Sequence, residues 1–219
     1  MSTQADFQAK DVVFEGLKSR FHVYHLGTRL GEIVLNLPGI HNVYNALASV
    51  AVGIELNISF DVIKSALQTV EGVQRRLEIK GEKKGVTIVD DYGHHPTEIK
   101  ITLEAVRKSW PNRRVVVVFQ PHRYTRAQAL FDDFTRSFYQ SDHLVVLPIY
   151  AAGEEKINGV EGHTLFEGIR NHGHREIVYL QNFETAVSHL LKNLNPGDIL
   201  LTLGAGDVWK VGEMVLKGL

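Results

Sequence analysis

The sequence predicts an α/β chain in two parts, a small β-meander with helices followed by a larger, mostly parallel sheet flanked by helices. Three observations carry this reading. Up to Leu37 apolar and polar residues alternate; the pattern then switches to a helical repeat; and from Arg76 onward short Val/Ile/Leu runs take turns with amphipathic segments.

In the first part, Val12–Gly16, Arg20–Leu26 and Glu32–Leu37 are β-rich runs parted by Leu17–Ser19 and by the glycine-bearing Gly27–Gly31, which predicts an antiparallel meander. After Pro38-Gly39, Val43, Ala46, Leu47, Val50 and Ile54 recur at helical spacing, and Ser59 is placed to cap a second helix. Strand-then-helix alternation follows through Val86–Asp91, Val115–Phe119, His143–Tyr150, Glu176–Leu180 and Asp198–Gly204. Unbroken aliphatic strands are buried on both faces, so roughly four to six parallel strands with crossover helices are expected, a Rossmann-like arrangement. The junction falls near Glu71–Arg76, giving a first domain over residues 1–73 and a second over 74–219.

The 219 residues include 24 Lys+Arg against 25 Asp+Glu, a formal charge of −1, which removes any bulk attraction to nucleic acid or an anionic membrane. There is no cysteine, which excludes disulfides, a thiolate nucleophile and Cys-based zinc or iron–sulfur chemistry. No apolar run reaches the about 18 residues of a spanning helix, and Met1–Lys10 lacks the apolar core of a signal peptide. A cytoplasmic chain with neither nucleic-acid nor membrane partners is the expectation.

Ligands of open parallel sheets bind beyond the carboxyl ends of the strands. Those ends carry Asp90-Asp91-Tyr92-Gly93-His94-His95, Gln120-Pro121-His122-Arg123 with Arg126, Tyr150–Glu154, and Gly204-Ala205-Gly206-Asp207. Arg123 and Arg126, three apart at a helix start, place two guanidinium forks on one side, suited to a carboxylate or phosphate; pairing with Asp132 or Asp133 is the plainer alternative. Asp91 either accepts from ribose hydroxyls or caps the helix begun by Pro96, and Asp90 fits either part. His94 and His95 with His122 invite a metal, but adjacent side chains diverge and no carboxylate has ligand spacing, so no metal site is expected here and His94 is read as a hydrogen-bonding group on the substrate. The Gly204–Asp207 run suits an anion or simply a tight turn. Asn42 and Asn45 share one helix face; a buried Asn45 amide would need partners, and it matches the edge of adenine. The chain holds no G-x-x-x-x-G-K-[ST] phosphate loop.

Residues 38–49 (PGIHNVYNALAS), 72–78 (GVQRRLE), 89–99 (VDDYGHHPTEI) and 119–126 (FQPHRYTR), in this order, resemble the Mur ligase family across essentially the whole chain. The resemblance implies the end of the family's central ATP-binding domain plus its C-terminal domain. It also implies ATP and Mg as cofactors, with the metal ligands mainly in the portion this chain does not match. The activity implied is ATP-dependent joining of L-alanine to the lactyl carboxylate of UDP-N-acetylmuramate through an acyl phosphate, with this piece inactive alone. Carried over by motif, His41, Asn42 and Asn45 hold adenine, Arg76 faces the nucleotide and Asp91 the ribose. Tyr92, His94, Arg123 and Arg126 hold the substrate carboxylate and the incoming alanine, the last three as catalytic groups. The alternatives are a stand-alone nucleotide- or anion-binding module and the family's tripeptide-recycling ligase, in which the HRYTR run is not expected.

Overall fold

The computed structural model describes residues 5–16, 18–70 and 72–219. Met1–Gln4 of the N-terminal stretch, Leu17 of the first turn and Glu71 of the expected junction lie outside the described residues. The chain divides into two compact units, residues 1–72 with 108–111, and residues 73–107 with 112–219.

In the first unit β1 (Phe7–Glu15), β2 (Lys18–His25) and β3 (Thr28–Leu35) form the antiparallel meander. Ala9 pairs with Val23 and Phe21 with Ile33, so alternate residues face one side and pack on Val43, Ala46, Leu47 and Val50 of α1 (Ile40–Glu55) and Ile63 of α2 (Phe60–Gln68). The β2–β3 turn is tighter than expected: Leu26 and Gly27, both at positive φ, make a two-residue hairpin, and Gly31 lies within β3. A side chain at Gly31 would strike the Phe60 ring, so the glycine serves packing against α2 and not a turn. Ser59 takes the N-cap position of α2, but its hydroxyl makes no cap bond.

The second unit is a six-stranded sheet in the order β4-β5-β9-β6-β7-β8. β5 (Val86–Asp91), β9 (Ile199–Leu203), β6 (Val115–Phe119), β7 (His143–Val146) and β8 (Ile177–Tyr179) run parallel, and β4 (Glu78–Lys83) joins β5 antiparallel. α7 (Phe183–Asn193) and α8 (Trp209–Gly218) cover one face through Ala186, Leu190, Val211 and Val215, packed with Ile88, Val116, Val118 and Leu200. On β6 the side-chain alternation sends Phe119 the other way, onto Phe134 and Phe138. α3 (Pro96–Ser109) follows β5, and α6 (Gly162–Asn171) precedes β8. The single helix expected after β6 is broken into α4 (Tyr124–Ala129) and α5 (Phe131–Thr135), because Leu130 leaves helical geometry at φ −115° and ψ 23°. Among the described residues no helix is long and apolar enough to cross a membrane.

Candidate active site

The second unit gathers its polar groups where β5, β9, β6 and β7 end. Short backbone bonds stitch these ends together: Gly204 N–H donates to Asp91 O (3.1 Å), Gln120 N–H to Leu203 O (3.1 Å), Arg123 N–H to Tyr150 O (2.8 Å) and Tyr150 N–H to Pro121 O (2.8 Å). Gly204 is required by the stitching, since a Cβ there would lie 2.6 Å from Gln120 O. The plainer reading of that glycine run, a tight strand-to-helix turn, fits this packing.

Four rings then stand in a row across three strand ends. Tyr92 and His94 meet edge-on with centroids 5.3 Å apart, His94 and His122 lie at 5.8 Å, and His122 stacks on Tyr150 at 5.5 Å. Two arginines flank Tyr92, with the Arg75 and Arg76 guanidinium carbons 5.0 and 5.9 Å from its ring centre. Arg126 donates through Nη1 to His122 Nδ1 (3.1 Å) and to His122 O (3.2 Å). Burial first, then the charges of Arg126, His94 and Arg123, hold His122 below the usual imidazole range. Glu154 reaches from beyond β7 to accept from Thr125 N–H (3.1 Å) and Oγ1 (2.7 Å), fixing the first turn of α4.

Several expectations need correction. Arg123 precedes α4 at φ 71° and ψ 135°, so helical i, i+3 geometry does not align it with Arg126. Arg123 is exposed, while Arg126 is half-buried against His122. Asp91 is buried, and its carboxylate accepts from Leu77 N–H (2.9 Å), Gly93 N–H (2.8 Å) and Thr102 Oγ1 (3.1 Å) of this chain in place of ribose hydroxyls. Burial pushes Asp91 up, against the pull of those three bonds. Nor does Asp91 cap α3: His95 does, its Nδ1 accepting from Thr97 N–H (3.3 Å), while Glu98 bonds back to His94 N–H (2.9 Å) and His95 N–H (3.1 Å). Asp90 is fully buried, paired with Arg75 Nε at 2.9 Å and bonded by Thr202 Oγ1 at 2.6 Å. In the first unit Asn45 is exposed on α1, so the argument from a buried amide fails. Asn42 donates its Nδ2 to Pro38 O (2.7 Å), and His41 beside it is partly buried.

Sequence reasoning missed Glu98, and it placed Tyr150 at a strand end without giving it a part. A signal for Glu98 was present: an acid three residues after a helix-start position, behind Pro96, has the spacing of a capping box. Tyr150 was marked only by its place after an apolar run; the isolated parallel bridge His122↔Tyr150 is what brings it into the row. Among the described residues no three His, Asp or Glu side chains converge as a metal would require.

A parallel-sheet unit with this imidazole and guanidinium rim places the chain in a class of ligases: it belongs to the Mur ligase family, residues 75–206 matching the Mur ligase, glutamate ligase domain. Within the family it is 62% identical over 217 residues to the UDP-N-acetylmuramate–L-alanine ligase of Desulfosudis oleivorans, and 57% identical to that of Desulforapulum autotrophicum. Each alignment takes in 99% of this chain and 48% of the relative, so the chain spans about half the length of these relatives. The crystal structure of UDP-N-acetylmuramate-alanine ligase from Thermotoga maritima shares the fold, with a TM-score of 0.84 at 24% identity over 99% of this chain and 46% of that one.

Proposed function

We propose that this chain is the part of a cytoplasmic, ATP-dependent ligase that receives the amino acid, joining L-alanine to the lactyl carboxylate of UDP-N-acetylmuramate by way of an acyl phosphate. The observation that carries the reading is the rim, where the two segments resembling the family's alanine-adding members contribute His94 and His122 to one row of rings beside Arg123 and Arg126. ATP, when bound, supplies the phosphoryl group that activates the carboxylate. Arg123, exposed and unobstructed by an ion pair to Asp132 or Asp133 among the described residues, holds the carboxylate or its phosphorylated form. Arg126 orients His122 and lends positive charge, and Tyr92 forms the wall beside them. Catalysis here is positioning and charge stabilisation.

For the nucleotide, the exposed Asn45 amide fits the donor and acceptor edge of adenine, with His41 and the remaining Asn42 oxygen on the same helix start. Arg76, exposed in the second unit, suits a phosphate or ribose. Asp91 does not fit a ribose, its oxygens being already bonded. Mg2+ finds no donor set among the described residues.

The test is Arg123→Ala in the complete ligase, assayed with free L-alanine. Turnover is expected to fall about 100- to 1,000-fold with the fold intact. Undiminished turnover sinks the site assignment, and acceptance of a tripeptide instead of free L-alanine sinks the substrate.

A further inference from the structure

Three imidazoles stand on the rim, and in each neutral ring the proton is placed by what Nδ1 meets. His94 Nδ1 lies 3.1 Å from Tyr92 O, a carbonyl that can only accept, and 3.6 Å from the Glu98 carboxylate, so its proton is on Nδ1. His95 Nδ1 accepts from Thr97 N–H at 3.3 Å, which puts its proton on Nε2. His122 Nδ1 faces Arg126 Nη1 at 3.1 Å, a group that can only donate, and so it too is protonated on Nε2. Of the three, His94 alone presents a bare Nε2.

Glu98 stands behind this difference. Its Oε2 accepts from the backbone N–H groups of His94 (2.9 Å) and His95 (3.1 Å), fixing the turn, and the same oxygen lies beside His94 Nδ1. We propose that Glu98 is a positioning residue that, by fixing the turn and by its charge beside Nδ1, supports the bond to Tyr92 O in holding His94 in its Nδ1–H tautomer, leaving Nε2 as the rim's acceptor for the proton of the attacking amine. The inference rests on the ligase reading above. In the step it serves, the amine nitrogen forms a bond to the acyl carbon and the carbon–oxygen bond to phosphate breaks. Phosphate leaves with the electron pair, and the N–H proton passes to His94 Nε2. His95 and His122, presenting N–H, can only donate, and they suit the anionic oxygens of the same substrate. The negative charge held on Glu98 agrees: burial raises its carboxyl, but the two backbone N–H bonds, with the Arg76 charge, act to lower it, and it lies below the usual range.

The experiment is Glu98→Gln, which keeps an acceptor oxygen for both backbone N–H groups and removes the charge. In 15N spectra of this chain in alkaline buffer, His94 is expected as Nδ1–H, with His95 and His122 as Nε2–H. In the variant His94 becomes a tautomer mixture and the other two are unchanged. In the complete ligase the variant's kcat falls about ten- to a hundredfold while the KM for L-alanine stays within about twofold. An Nε2–H form of His94 in the parent overturns the proposal. So does a variant whose kcat and His94 signals match the parent, and so does one that loses kcat with His94 signals unchanged, which marks a merely structural acid. A complete protein with no alanine-dependent turnover overturns the amine assignment together with the ligase reading, and the 15N pattern tells that failure from a misplaced proton.

Discussion

Arg123 holds a backbone setting, φ 71° with ψ 135°, that L residues seldom adopt and that costs about 1–3 kcal/mol. Its N–H is bonded to Tyr150 O and its carbonyl accepts from Ala127 N–H, so both ends of the peptide are pinned while the side chain stays free. Glycine carries no such penalty. Arg123→Gly is therefore expected to raise stability in urea by about 1 kcal/mol, after allowing for the freer unfolded chain, while Arg123→Ala does not. A glycine variant no more stable than the parent refutes the strain account. At this scale the sequence was legible where one residue type has one chemistry, as with the arginines and histidines of the rim. It misled at Asp91, because an acid after a buried strand looks the same whether it meets a ligand or, as here, Leu77 N–H and Thr102, which lie 14 and 11 residues away.

Elements were legible where burial on both faces imposes an apolar run, as in β5 and β6. They were not where an edge strand is charged: β4 carries Glu78, Lys80, Glu82 and Lys83, residues that protect a sheet edge and also read as a solvated linker. Only Lys84-Gly85, both at positive φ, betrays the hairpin. β7 and α7 hold a feature with a measurable consequence. His143 and His189 approach Nε2 to Nε2 at 2.9 Å with ring centroids 5.2 Å apart, a head-on N–H···N bond between neutral rings. Burial, then His189 and Arg114, holds His143 low, and burial alone does so for His189. A histidine whose folded pKa lies below its unfolded value of 6.5 favours the unfolded state once it is protonated there. Stability of the chain is thus expected to fall as pH drops below about 6.5, and a His143→Leu/His189→Leu variant to fall less steeply over the same window. Parallel pH profiles for the two, measured by thermal unfolding, contradict this.

For the whole molecule, the alternation of strands and helices announced a parallel sheet, but strand order is set by three-dimensional pairing, and no local pattern told that β9 lies between β5 and β6. The missing phosphate loop was readable directly. Given ATP, UDP-N-acetylmuramate and L-alanine, this chain alone is expected to release no phosphate above background, and measurable release would show that the motif's absence had been misjudged. The strand order also has a temporal side. On a ribosome, β5 and β6 emerge well before the strand that must lie between them; Thr87 waits for Ile199 and Val117 for Leu201. Until then two strands that are buried throughout in the finished sheet lack their common neighbour, so the sheet closes late, and chaperone capture of nascent chains should concentrate in the interval before β9 appears.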